Sequence, residues 1–129
     1  MRCRLTLSLA CLVLVVAGCS SPDVEAHDSD NGGHVAIDKG DVFDIVLADD
    51  YATTNCQWHP GEPNDWAVLK LLGYRYEPDR TAPGASSGGT FTSRYKGTGT
   101  GTVHVTLVEE DNANPPHIAR RYALDATVR

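Results

Sequence analysis

The chain lacks the features of a nucleic-acid binder, a membrane-spanning protein or a disulfide-stapled module. Lys and Arg number 11 against 17 Asp and Glu, a formal net charge of −6. A surface of that sign repels phosphate backbones and anionic headgroups, which excludes nucleic acid as a partner and lipid binding driven by charge. Of four cysteines, Cys3, Cys11 and Cys19 lie near the N-terminus, and only Cys56 falls beyond them. The one long apolar run, Leu5 to Gly18, is shorter than the roughly 20 residues a spanning helix needs. No window carries a capped helical repeat; Ala67 to Leu72 has helical periodicity but is short. His27, His34, His59, His104 and His117 show no ligand spacing, so neither a metal centre nor a cofactor is expected.

What is present begins with an address. Met1-Arg2-Cys3-Arg4 places two positive charges ahead of the apolar run, as in a secretory signal. The run stops at Val16-Ala17-Gly18-Cys19, which resembles the cleavage box of bacterial lipoproteins, with valine where leucine is usual. An ordinary signal cleaved nearby is the alternative. The resemblance implies that residues 1–18 are removed, that Cys19 is acylated, and that the lipid holds the protein in a bilayer. The expected location is the extracytoplasmic side of a bacterial cell envelope. Loss of Arg2 and Arg4 takes the net charge to about −8. Cys56 is then left without an intrachain disulfide partner, so the fold must rest on its core. Residues 19–33 are expected to be the lipidated cysteine and a disordered tether, because Asp, Ser and Gly dominate there. Residues 34–129 suffice for one small domain.

That domain reads as all-β. Phe43, Ile45 and Leu47 share one face of a strand with Asp44 opposite. Val103, Val105 and Leu107 alternate with Thr102, His104 and Thr106; Tyr122, Leu124, Ala126 and Val128 alternate with Arg121, Asp125 and Thr127. Phe91 and Tyr95 fall in step, and Val68 to Leu72 reads as a further strand. Period two with β-branched and aromatic residues marks half-buried strands. Turn signals separate them at Lys39-Gly40-Asp41, His59 to Asp65, Pro83-Gly84, Gly97 to Gly101 and Asn114-Pro115-Pro116. About seven short strands in this length predict an immunoglobulin-like two-sheet β-sandwich, whose loops gather at its two ends.

Between the first two strands lies a polar tip, Thr53-Thr54-Asn55-Cys56-Gln57-Trp58. With Ser86-Ser87-Gly88-Gly89 and the flanking Lys39 to Leu47 and Leu69 to Pro78, this domain resembles the chagasin family of cysteine-peptidase inhibitors over roughly residues 35–128. That family carries Asn-Pro-Thr-Thr-Gly-aromatic-x-Trp, Gly-x-Gly-Gly and Arg-Pro-Trp in three loops. Thr53, Thr54 and Trp58 fall in register with the first, Gly88 and Gly89 with the second, and Gly101 with the glycine before the next strand. The resemblance implies reversible, non-covalent occlusion of a papain-like cysteine peptidase by a wedge of loops, with no catalytic residue. It makes Thr53, Thr54, Asn55, Cys56, Gly88 and Gly89 the peptidase-binding positions of a monomer.

The departures from that pattern are specific. Asn55 replaces a glycine, and asparagine is among the residues that best tolerate a left-handed turn. Cys56 replaces an aromatic; a small hydrophobe is one reading, and an exposed thiol able to meet the peptidase's own is the other. Arg-Pro-Trp is missing. Asp111-Asn112-Ala113 stands in its register, and Asn114, Pro115 and Pro116 are the candidates for a substitute third loop. Trp58 is expected to anchor the first loop from inside. Thr53 and Thr54 read also as a turn whose hydroxyls bond the local backbone, and Gly88-Gly89 as a hairpin or bulge requirement. The alternative function is a surface lipoprotein whose drifted loops bind another envelope or host protein. Gly84-Ala85-Ser86-Ser87-Gly88, followed by Asp111 and His117, matches a hydrolase elbow in letters only. A strand follows it rather than a helix, and the chain is too short for that fold.

Overall fold

A computed structural model describes residues 21–79 and 88–129. Residues 1–18, read above as a signal peptide, and Cys19, Ser86 and Ser87 lie outside the described residues. Among the described residues, eight strands form two four-stranded sheets. In the first, β1 (Val24–His27), β3 (Val42–Asp49), β6 (Gly89–Gly97) and β5 (Leu69–Pro78) lie side by side in that order. In the second the order is β2 (Gly33–Ile37), β8 (Ile118–Val128), β7 (Gly101–Glu110) and β4 (Gln57–Pro60). The alternating residues meet between the sheets. Phe43, Ile45, Leu47, Leu69, Phe91 and Tyr95 face Ile37, Trp58, Val105, Leu107, Leu124 and Val128, all buried. Phe43 and Tyr95 stack with ring centroids 5.8 Å apart. Two inner faces interdigitating in this way are the core of a β-sandwich.

Asp44 points out of the core as its alternation requires, yet it is buried. Its cross-strand partner Arg94 covers it, with Nε and Nη2 each donating at 2.8 Å to its two carboxylate oxygens.

One expectation is corrected here. Residues 24–33 are not a tether: β1 pairs in parallel with β3, Val24 opposite Phe43, and β2 begins at Gly33 in parallel with β8. A single 3-10 turn, Asp28–Asp30, joins them. Ala26 is buried in the core, Tyr122 Oη donates to His27 O at 3.1 Å, and Asp28 Oδ2 accepts from Ala48 N at 3.0 Å. Those long-range bonds supply what the polar composition of the segment does not. They also explain why the described residues hold eight strands where about seven were expected.

Register fixes which loops share an end. Asp49 at the close of β3 pairs with Gly89, and Gly89 with Pro78, so the first loop and the 79–88 connection leave the first sheet together. Gln57 pairs with Glu110, and Glu110 with Ile118, so the end of the first loop and the 111–117 loop leave the second sheet together. The first loop runs from Asp49 to Gln57 and joins the two sheets at that end.

Candidate functional site

The first loop is one helical turn, α1 (Tyr51–Thr54), closed by Asn55. Asp49, buried at the end of β3, accepts Tyr51 N at 2.9 Å and starts the turn. Burial pushes the Asp49 carboxyl above its ordinary range, and the Tyr51 N–H draws it part of the way back. Thr53 N and Thr54 N both donate to Asp50 O at 2.9 Å. The Thr53 and Thr54 hydroxyls donate to the same carbonyl at 3.0 Å. Their hydroxyls therefore brace the turn, while both side chains remain exposed. Asn55 has φ 58° and ψ 19°, the left-handed conformation expected of it, and its N–H donates to Tyr51 O. The chain can thus reverse out of the helical turn without the glycine.

Cys56 is corrected from a contact position to a structural one. Its residue is buried, its N–H donates to Thr54 Oγ1 at 3.2 Å and its Sγ lies 3.6 Å from Thr54 O. The left-handed step at Asn55 turns the next side chain inward, so no thiol stands at the tip. Trp58 was expected to anchor the loop from inside. It is buried, and its indole N–H donates to Ala48 O at 3.0 Å.

A charged clamp backs that tryptophan. Arg120 on β8 lies 5.1 Å from the Trp58 ring centroid. It donates to Glu109 on β7 through Nε at 3.2 Å and Nη2 at 2.8 Å, and through Nη2 to Ala48 O at 2.8 Å. Glu109 is buried beneath it. The hydrogen bond to Glu109 raises the Arg120 pKa further, burial opposing. Ala48 O thus accepts from both Trp58 and Arg120, which ties the root of the first loop to the opposite sheet. The sequence carried a signal for this: Glu109 follows Val103, Val105 and Leu107 at period two, on the inner face.

Gly88 and Gly89 differ from each other. Gly89 is buried, and a Cβ there would sit 2.5 Å from Tyr76 Cε2 and 2.7 Å from Glu77 O. Its missing side chain makes room for Tyr76, whose ring meets Tyr51 of the first loop edge-on at 5.9 Å. Gly88 is half-buried at the mouth of the connection, its carbonyl accepting Asp79 N at 2.9 Å.

The 111–117 loop is closed by its own residues. Asp111 Oδ1 accepts Ala113 N at 3.0 Å and His117 N at 2.8 Å, and Oδ2 lies 2.7 Å from His117 Nδ1. The His117 backbone N–H and then its ring hold the Asp111 carboxyl below its ordinary range. Asn114, Pro115 and Pro116 are exposed at the apex, with a cis bond between Asn114 and Pro115. Asp111 and His117 are a loop clasp here. Three other histidines have local partners too: His34 with Thr127 at 2.7 Å, His104 with Asp125 at 2.6 Å, and His27, now in β1, with Glu25 at 3.5 Å.

One end of the sandwich therefore exposes Thr53, Thr54 and Asn55 beside Gly88 and the Asn114 to Pro116 apex, over a base stiffened by Trp58 and Arg120. No sequence-family model and no curated relative matches the chain. Among solved structures, amebosin is 27% identical, with a TM-score of 0.67 over 84% of this chain and 100% of its own. The cysteine protease inhibitor EhICP2 from Entamoeba histolytica is 13% identical, with a TM-score of 0.69 over 84% of this chain and 100% of its own. PbICP-C, solved in complex with falcipain-2, is 14% identical, with a TM-score of 0.51 over 81% of this chain and 89% of its own. The fold is thus similar to that of solved cysteine protease inhibitors, in line with the resemblance to the chagasin family that the residues carry.

Proposed function

We propose that the protein is a reversible, non-covalent inhibitor of papain-like cysteine peptidases that seats its loop end in the peptidase cleft. The observation that carries this reading is the first loop. Thr53, Thr54 and Asn55 stand exposed on a turn that needs no partner to hold its shape. A preorganised wedge loses little ordering entropy on docking. Gly88 lets the second connection approach a cleft wall closely. The architecture shared with EhICP2 and with PbICP-C, the latter complexed to falcipain-2, supports the same reading. No covalent step is involved, and Cys56 takes no part because its thiol faces inward. The third loop contributes least: without Arg-Pro-Trp it offers Asn114, Pro115 and Pro116, and it lacks two common hot-spot residue types.

The protein acts as a monomer held by acylated Cys19 on the extracytoplasmic side of a bacterial cell envelope. The cleavage box that ends at Cys19 supports that part of the proposal.

The test is titration of the chain from residue 20 onward, which retains β1, against papain with a fluorogenic peptide. Competitive inhibition in the nanomolar to micromolar range, weakened by a Thr53→Ala/Thr54→Ala double substitution that leaves the melting temperature within a few degrees, is the expected result. Absence of inhibition, with capture of a cell-envelope or host protein through the same loops, would establish the alternative of a non-inhibitory surface lipoprotein.

A further inference from the structure

The end of the sandwich opposite the loops carries features that inhibition does not use. Because β1 runs parallel to β3, the chain enters the fold where β3 begins. Asp23 is pinned there: its N–H donates to Val42 O at 2.8 Å, and its Oδ2 accepts Val42 N at 2.8 Å. Only Ser20, Ser21 and Pro22 separate it from Cys19. Four steps of extended chain reach at most about 14 Å. A leash so short sets the domain against whatever surface holds Cys19.

The same end presents Trp66, 55% exposed, in the turn before β5. The turn is built to hold it out. Asp65 O accepts from Val68 N and Leu69 N, and Thr98 Oγ1 donates to Trp66 O at 2.7 Å. Gly99 lies so close to Ala67 O that no Cβ fits between them. Lys70 Nζ sits 5.9 Å from the Trp66 ring centroid. The chain has three lysines, and all three are exposed at this end: Lys39 in the β2–β3 turn, Lys70 near the start of β5 and Lys96 near the end of β6. Asp23, Asp38, Asp41, Asp65 and Arg129 lie with them, so four cations meet four carboxylates and the face is close to neutral, which suits a zwitterionic surface. The loop end, by contrast, carries Asp50, Asp79 and Glu110. Indole rings settle at the headgroup level of a bilayer, and lysine stems lie along apolar surface while their ammonium groups stay in water. The leash leaves by β1 and Trp66 stands by β5, the two edges of one sheet. Contacts at both edges would hold the strands upright on a surface.

We propose that this end is a membrane-docking face. With Cys19 in the bilayer, Trp66 seats in the headgroup layer of a zwitterionic lipid surface and the three inhibitory loops point away from it. The proposal rests on the lipid-anchor reading of Cys19 and not on the identity of the peptidase. The eight residues of β3 rise about 26 Å at ~3.3 Å each. That height leaves the loops open to a peptidase arriving from the aqueous side.

The experiment uses the full, processed protein in phosphatidylcholine vesicles, with acyl chains brominated near the headgroup or left plain. Bromine is expected to quench part of the tryptophan emission. That loss should vanish in Trp66→Phe, whose remaining emission comes from buried Trp58. Trp66→Tyr, which keeps a ring over Lys70, is the second variant if the first fails to fold. Absence of quenching in the wild type, equal quenching in the Trp66 variants, or a mass showing Cys19 without acyl chains would overturn the proposal. Papain separates the two readings. Equal inhibition by vesicle-bound and detergent-solubilised protein supports outward loops, and inhibition by the solubilised form alone overturns them. If neither form inhibits, the inhibitor reading fails and the quenching result still decides the docking face.

Discussion

Replacing Arg120 by methionine should be among the most damaging single changes at the loop end. Arg120 is 39% exposed over a Glu109 side chain that is 3% exposed, with Nη2 2.8 Å from Oε2. Removing it strands the buried Glu109 carboxylate beside its cross-strand partner Trp58. Breaking a buried ion pair from one side costs about 3–5 kcal/mol, and the part-exposed guanidinium puts this case at the low end, about 3 kcal/mol. That figure includes the cation–π contact to Trp58, on the order of 0.5–1 kcal/mol. In a domain of this size, at roughly 4–8 °C per kcal/mol, the melting temperature should fall by about 12–24 °C. Glu109→Leu should cost less, about 1 kcal/mol, because the freed arginine can turn to water. In the double variant Glu109→Leu/Arg120→Met no charge is buried, so it should lie within about 1–2 kcal/mol of the wild type. Urea denaturation of the four proteins gives the cycle. A cost under about 1 kcal/mol for Arg120→Met, or a double variant no more stable than Arg120→Met alone, would show that no buried charge is stranded at this site.

Other outcomes follow from single positions. Asn55→Gly should leave the melting temperature nearly unchanged. Asn55→Val, forced to φ 58°, should cost about 1–2 kcal/mol, read by thermal denaturation. Gly89→Ala should destabilise by pressing on Tyr76, and adding Tyr76→Ala should recover less stability than the lost packing removes; urea midpoints distinguish the cases. Burial raises the Tyr122 pKa to about 12. A group that holds its proton more tightly when folded loses stability as pH rises above its unfolded pKa near 10. Stability should therefore fall between about pH 10 and 12, and Tyr122→Phe should flatten that limb in a pH series of denaturation curves.

Much of the fold was legible because alternation survives where one face is buried. Phe43, Ile45 and Leu47, and Val103, Val105 and Leu107, point inward as read. The left-handed Asn55 and the anchoring Trp58 were legible for local reasons, a tolerant residue at a reversal and a large ring at a strand start. β1 was not. Val24-Glu25-Ala26-His27 alternates for four residues only, amid Asp, Ser and Gly, and its order comes from pairing with β3, about twenty residues away. Cys56 was ambiguous because its direction depends on the backbone step before it. Glu109 was hidden by its neighbours, since Glu109-Glu110-Asp111 reads as one acidic stretch although the pleat sends only the first side chain inward. Gly89 matched a loop motif, and its constraint comes from Tyr76 across the sheet.

The parallel pairing of β2 with β8 has a consequence for biogenesis. Gly33 to Ile37 finds its neighbours only when Leu124 to Val128 is present. Until those residues are available the second sheet lacks a strand and the core has no lid. Contacts so distant along the chain form slowly, because the closure entropy comes due before they form. A growing chain therefore stays loose until β8 has been made. An unfolded thread is what a translocation pore accepts, so a topology that closes late suits the export proposed above for this chain.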